Sequence, residues 1–319
     1  MLAGQSPVGD SHLLIVSGIG GQPQYSDAFH RWGVSMADAA TKRLGLPTDH
    51  VVYLSEHPER DAARIRGRST KENVVRAIAE LASRAGPTDR IFILLIGHGS
   101  GDGEESRFNL PGPDLTAKEL AEQFMNFPTQ TIVLVNAFSA SGDFVKILSG
   151  PNRVLVTATK TGFERNESIF GEVFVEAFAS DGADTDKDER VSVLEAFQYA
   201  RRETARRYED DGRLLTEHAM LDDNGDGEGS TDPTVDSADG ALAGTLFLDR
   251  RGVMAAGATS GDSLLVALYS KKASLETRIA ELRNLKDQME AEVYEEELET
   301  LLVELALNNR EIRAREGRN

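Results

Sequence analysis

Ile91–Ser100 reads IFILLIGHGS: six apolar residues running straight into Gly-His-Gly. A continuous apolar run bounded by glycine predicts a buried central strand, shielded on both faces as in a parallel sheet. A strand buried on both faces points to an α/β fold. Open α/β sheets place their chemistry at the carboxyl ends of strands, which is where His98 falls. The glycines on either side let the backbone turn and let another chain come close. Taken alone, His98 also fits a core strand that happens to end in an imidazole.

The next strand expected from the pattern changes that balance. Thr131–Ala137, TIVLVNA, is a second apolar run and is followed by FSASGDF. Two neighbouring parallel strands would bring His98 and the serines Ser139 and Ser141 to one sheet edge. An imidazole beside a hydroxyl is nucleophile-and-base logic. At these residues the chain resembles the caspase-fold cysteine peptidases, most closely their legumain-like branch. That family carries a His-Gly turn after one strand and an Ala-Cys-x-Ser-Gly type turn after the next. The corresponding residues are His98–Gly99 and Ser141–Gly142, and the cysteine is missing. Anchoring on Ser141–Gly142 puts the nucleophile position at Ser139; anchoring on Asn136 puts it at Phe138. The backbone N–H groups near Gly99 and Ser139 would form the oxyanion site.

The resemblance covers roughly Leu13–Leu221. After the His-Gly loop the family has a short Phe/Leu-Pro segment and then an Asp-Leu-x-x-x-x-Leu helix, matched by Phe108–Pro113, Asp114–Leu115 and Leu120. It implies a caspase-like, mostly parallel sheet flanked by helices. With no thiol the expected function is that of a pseudopeptidase, a calcium-bound binding or scaffolding module. Two alternatives stay open: a hydrolase using a Ser139–His98 dyad, and a cysteine peptidase inactivated by exchange of its cysteine. In the family the first loop borders the cleft, here Gln22–Tyr25. Thr159, Glu164 and Arg165 are further pocket candidates.

The remaining elements follow from periodicity. Strands are expected at His12–Ser17 and Val51–Leu54, with a charged surface loop at Glu56–Arg68. Helices are expected at Ser26–Leu44, from Ser69 to Arg84 with a Ser69/Glu72 capping box, at Asp114–Phe127, Ile169–Ala179 and Leu194–Glu209. Ser100–Arg107 reads as a polar loop, and residues 1–10 as a disordered tail. Thr245–Leu248 is a candidate edge strand.

Asp184, Asp186 and Asp188, with the Arg190 carbonyl, Ser192 and Glu195, have the ligand spacing of an EF-hand loop. Hard oxygens at alternate positions suit Ca²⁺, with Glu195 closing the site. Glu189 replaces the glycine usual at the sixth position. Similar segments occur in bacterial members of the resembling group. Asp222, Asn224, Asp226 and Glu228 form the front half of a second, weaker loop that lacks the closing glutamate, because Pro233 stands there.

Residues 249–261 are small and glycine-rich and read as a linker. From Asp262 to Glu316 there is no Gly or Pro. Leu268, Leu275, Leu282 and Met289 recur every seven residues, as do Leu298, Leu305 and Ile312. This predicts a helical arm, either a hairpin turning near Met289–Tyr294 or one long coiled-coil helix of about 80 Å. The arm offers a route to a protein or peptide partner or to a homo-oligomer.

Bulk composition sets outer bounds. The 319 residues carry 35 basic against 53 acidic side chains, a net charge of −18. That disfavours nucleic acid and anionic lipid surfaces as partners. There is no cysteine, so no disulfide and no thiolate metal site. No apolar run is long enough for a membrane span. The start reads as a trimmed mature end, which leans towards an extracytoplasmic location.

Overall fold

The computed structural model describes residues 9–101, 106–188, 190–248, 263–284 and 289–316. The expected linker 249–261, Glu189 and residues 1–8 lie outside them. The described residues form ten strands: β1 Ser11–Ser17, β2 Val51–Ser55, β3 Ile65–Arg68, β4 Arg90–Gly97, β5 Gly99–Gly101, β6 Ser106–Phe108, β7 Leu115–Thr116, β8 Thr131–Phe138, β9 Arg153–Thr157 and β10 Met220–Asp222. Seven form the central sheet in the order β10-β9-β8-β4-β1-β2-β3. All neighbours are parallel except β10, which runs antiparallel to β9. The protein is therefore an α/β fold with a mostly parallel sheet covered by helices.

The helices are α1 Pro23–Asp38, α2 Lys71–Arg84, α3 Ala117–Phe124, α4 Phe144–Leu148, α5 Phe170–Ala179 and α6 Val193–Asp210. Strand alternation divides the core between them. Phe92, Leu94 and Ile96 of β4, with Val133, Val135 and Ala137 of β8, face α1, α5 and α6. Ile91, Ile93 and Leu95, with Ile132, Leu134 and Phe138, face α2, α3 and α4. Both faces of the central strands are thus fully buried, which is why IFILLI and TIVLV are unbroken apolar runs.

Several local expectations are corrected. The loop expected at Glu56–Arg68 contains the edge strand β3, whose IRGR sequence lacks an apolar run because one side of it is open. Helix α2 is capped by Thr70, which accepts from the Asn73 N–H; Ser69 is buried and donates to the Ser17 carbonyl instead. Capping boxes open α3, between Thr116 and Glu119, and α6 instead. Ser100 and Gly101, expected in a loop, form β5, which pairs with β6 and through it with β7. Gly9 and Asp10, expected in the tail, are pinned: the Gly9 and Asp10 carbonyls accept from Arg90, and the Asp10 N–H donates to Asp89. Ala243–Thr245 is a short 3₁₀ turn, and only Phe247 of the following stretch makes a strand bridge, to Ser192.

Beyond residue 262 two helices, Ser263–Asn284 and Ala291–Glu316, pack on each other as an antiparallel pair. Leu275, Ile279 and Leu282 of the first meet Leu298, Leu301 and Leu305 of the second. Leu265 and Leu268 meet Ile312. The buried Asn308 side chain donates to the Leu268 carbonyl at 2.9 Å, a directional bond that fixes how the two helices slide past each other. No helix among the described residues is long and apolar enough to cross a membrane.

Candidate functional site

The chain lays β1, β2 and β3 to one side, then crosses to β4 and continues through β8, β9 and β10 on the other. The loops leaving β1 and β4 therefore part at a topological switch point, where α/β sheets open a crevice at their carboxyl edge. His98 stands there, immediately after β4. Tyr25 and Phe29 of α1 meet its ring edge-on, with centroids 4.8 and 5.0 Å away. Burial lowers the His98 pKa; a hydrogen bond to the backbone of Gly20, in the β1 loop, and the charge of Glu167 oppose that shift. The imidazole is thus held largely neutral and oriented by a backbone group, as a general base requires. Tyr25 belongs to the Gln22–Tyr25 stretch expected to border the cleft, whereas the Gly20 contact and the Phe29 ring carry no motif and were not legible in the sequence.

Register decides which residue of the β8 turn faces this base. Gly97 pairs with Phe138 in the parallel β4–β8 ladder. The same register continued one residue past the end of the ladder brings Ser139 level with His98 and beside Gly99, whose N–H its hydroxyl accepts. Both fall on the α1 face by alternation. Phe138 falls on the other face, fully buried between Phe108 and Phe144, with ring centroids 4.9 and 5.4 Å away. The alternative placement of the nucleophile position at Phe138 is therefore corrected: that side chain is core and does not reach the crevice.

The turn itself is tightly built. Ala140 takes a left-handed φ of 58°, and its N–H donates to the Glu164 carbonyl. A non-glycine residue in that region costs on the order of 1 kcal/mol and needs its surroundings to hold it. Thr159 does so from the end of β9: its hydroxyl accepts from the N–H groups of Ser141 and Gly142. Gly142 is required because a Cβ there would stand 2.2 Å from the Lys160 carbonyl carbon. Gly99 is required for the same reason, with 2.2 Å to the Ser139 carbonyl oxygen. Ser139 is 3% exposed, and its hydroxyl accepts the Gly99 N–H at 3.4 Å. No hydrogen bond joins Ser139 to His98. Thr159 is thus a support for the turn, while Arg165 donates to the Gly101 carbonyl and ties the β9 loop to β5.

Of the expected cation ligands, the structure brings Asp184, Asp186 and Asp188 together, with one carboxylate oxygen from each within 4.8 Å of the others. The loop N–H groups turn inward onto them: Asp188 N–H to Asp184 and Asp186, and Arg190 N–H to Asp188. Burial and mutual repulsion raise the pKa values of Asp186 and Asp188, so the cluster favours an added positive charge. Lys272, from the first arm helix, places its ammonium 3.9 Å from Asp188. Glu195 and Ser192 are corrected. Their side chains form the capping box of α6, and the other Glu195 oxygen accepts from the Thr185 N–H and hydroxyl. The Arg190 guanidinium stacks over Phe247 at 3.5 Å.

The second expected loop does not gather its acids. Asp222 accepts from the Gly225 and Gly227 N–H groups, Asn224 from Asp226, and Asp226 from Glu228. Among the described residues the only cluster of three acids or histidines with metal-like spacing is the Asp184 triad. Asp222 instead adjoins two buried carboxylates, Asp223 and Asp239, that close the following loop. Glu217 caps the start of α5, accepting from Ser168 and from the Ile169 and Phe170 N–H groups, while His218 pairs with Glu164.

No family model matches the chain. No curated protein matches it either. Among solved structures it is similar to protein GSU0716 from Geobacter sulfurreducens, at 13% identity and a TM-score of 0.44, over 67% of this chain and 92% of that one. A likeness at that level fixes neither family nor activity.

Proposed function

We propose that the chain is a peptidase homologue of the caspase-like, legumain-like type whose hydrolytic step has been lost, and that it acts as a calcium-bound binding or scaffolding module for a protein or peptide. The observation that supports this most is the state of Ser139. Its hydroxyl is almost wholly buried and accepts the Gly99 N–H, the very donor an oxyanion would use. A hydroxyl is a weak nucleophile without a base hydrogen-bonded to it, and His98 makes no such bond. In this reading the His98 imidazole held near Gly20 and the strained turn at Ala140 are what remains of the machinery, without a thiol.

In this reading the Asp184 triad takes Ca²⁺ in a loop at the foot of α6, and the helical pair presents the partner surface or joins two copies. The test is labelling with a fluorophosphonate serine probe, with and without Ca²⁺, on the protein and on Ser139→Ala. No labelling at residue 139 is expected. Labelling that vanishes in Ser139→Ala would instead make the protein a Ser–His hydrolase, the reading that the register of Ser139 opposite His98 would then favour.

A further inference from the structure

The second arm helix, Ala291–Glu316, carries two apolar stripes, and the first arm helix covers only one of them. Leu298, Leu301, Leu305 and Ile312 point inward and meet the first helix. At 3.6 residues per turn, Leu302, Val303, Ala306 and Leu307 fall on the opposite side. There Leu302 is 43%, Val303 51% and Leu307 55% exposed, and Ala306 is exposed as well. A shallow groove of about 380 Å³ runs along this side, bordered by Glu295, Glu299, Leu302, Val303 and Ala306. A single exposed leucine is ordinary, but a contiguous apolar run on one helix face marks a contact surface.

The charges on the same side indicate what covers it. Glu292, Glu295, Glu296 and Glu299 precede the apolar run and Arg310 follows it, all of them exposed. Such a face is complementary to itself in one orientation. A two-fold axis crossing the helix between Glu304 and Leu305 runs a second copy of the helix antiparallel to the first. Leu302 then lies opposite Leu307 of the second copy, Val303 opposite Ala306, and Glu299 opposite Arg310. Each contact is made twice, as in any isologous interface. A parallel pairing would instead set the glutamates against their own copies, and facing like charges repel. The same glutamates disfavour a lipid surface, because interfacial helices carry Lys and Arg beside their apolar face.

We propose that the protein forms a two-fold homodimer through this face, the second arm helices of two copies packing antiparallel with Leu302, Val303, Ala306 and Leu307 at the centre and Glu299–Arg310 pairs at both ends. The inference rests on the arm's role in the reading above and commits it to one occupant, a second copy of the chain. The apolar centre is small and the ion pairs are exposed, so a Kd on the order of micromolar is expected.

The experiment is sedimentation velocity of the full chain from about 1 to about 300 µM, a range that brackets such a Kd. Thermal melts establish that each variant is folded. The variants are Leu307→Glu, Glu299→Arg, Arg310→Glu, and Glu299→Arg with Arg310→Glu together; all change exposed side chains. The parent should pass from monomer to dimer across the range. Leu307→Glu puts a charge into the apolar centre and should weaken association about ten-fold or more. Each single charge exchange faces like with like and should weaken it about five-fold or more, whereas the double exchange re-forms the pairs with their signs reversed and should regain most of the loss. That recovery belongs to the antiparallel register alone. None of these outcomes bears on Ser139, whose labelling tests the loss of hydrolysis separately. A parent that stays monomeric throughout, a dimer indifferent to Leu307→Glu, or a double exchange no tighter than the single ones overturns the proposal.

Discussion

The Gly99 N–H donates to the Ser139 hydroxyl at 3.4 Å, across the gap between the ends of two adjacent parallel strands. This contact exists because a Cβ on Gly99 would stand 2.2 Å from the Ser139 carbonyl oxygen. Gly99→Ala should therefore force the β4 and β8 turns apart. Overpacking of this kind costs typically 1–3 kcal/mol. A urea titration should show a lower midpoint with an unchanged slope, and an unchanged midpoint would mean that the turns are not locked together.

Phe138 adjoins Ser139 in sequence but lies in the opposite core, between Phe108 and Phe144. Phe138→Ala should destabilise the fold by about 3–5 kcal/mol, the usual cost of emptying an aromatic core site. Phe138→Leu should cost clearly less, and neither should open the crevice at His98 to solvent probes. A stability loss below about 1 kcal/mol for the alanine variant would place Phe138 at the surface.

The carboxyl group of Asp239 is pushed up to about 7, first by burial and then by the charges of Asp223 and Asp222 against a helpful Asp223 N–H bond. Its folded pKa exceeds its unfolded value of about 3.9. Between those values the folded state binds more protons than the unfolded one, so stability falls as pH rises through this window and the full penalty is present above about pH 7. Asp239→Asn should remove that slope. At pH 8 the variant should be more stable than the parent by roughly 2–4 kcal/mol, and near pH 4 the two should coincide. Parallel stability–pH profiles would refute the assignment.

Ca²⁺ and Lys272 compete for Asp188 in this account, since the ammonium lies 3.9 Å from its carboxylate. At a hundred-fold excess over Kd, Ca²⁺ should stabilise the protein by about 2.7 kcal/mol. Lys272→Gln should tighten Ca²⁺ binding several-fold, and Asp186→Asn with Asp188→Asn should abolish it. A calcium-induced melting shift that survives the double asparagine variant would locate the ion elsewhere.

How much of this was legible in the sequence follows the strength of each local signal. Strands β4 and β8 were readable because burial on both faces leaves unbroken apolar runs, and the same runs set the sheet edge that carries His98. Edge strand β3 was not, because a half-open strand such as IRGR needs no apolar run. The Asp184 triad was readable from alternate spacing. The fate of Glu195 was not, because the same Ser-x-x-Glu spacing serves a capping box as well as a closing ligand, and in the folded chain the cap prevails. The Ser141–Gly142 turn already pointed to Ser139 over Phe138, and the ladder register, which no local pattern supplies, shows Phe138 turned into the opposite core. Tyr25 was anticipated in the stretch expected to border the cleft, but the Gly20 and Phe29 contacts around His98 join loop and helix residues remote in sequence from the strand they serve.

The central claim is that residue 139 occupies the nucleophile position opposite His98 in a site that lacks only its thiol. Ser139→Cys would supply the single cysteine of the chain, so its alkylation by iodoacetamide reports on one atom. The rate should be followed against pH in Ser139→Cys and in Ser139→Cys with His98→Ala. The account predicts a thiol that titrates well below the free value of about 8.5 when His98 is present and returns towards or above it when His98 is gone. A thiol at residue 139 that titrates at or above 8.5 and is indifferent to His98 would contradict it.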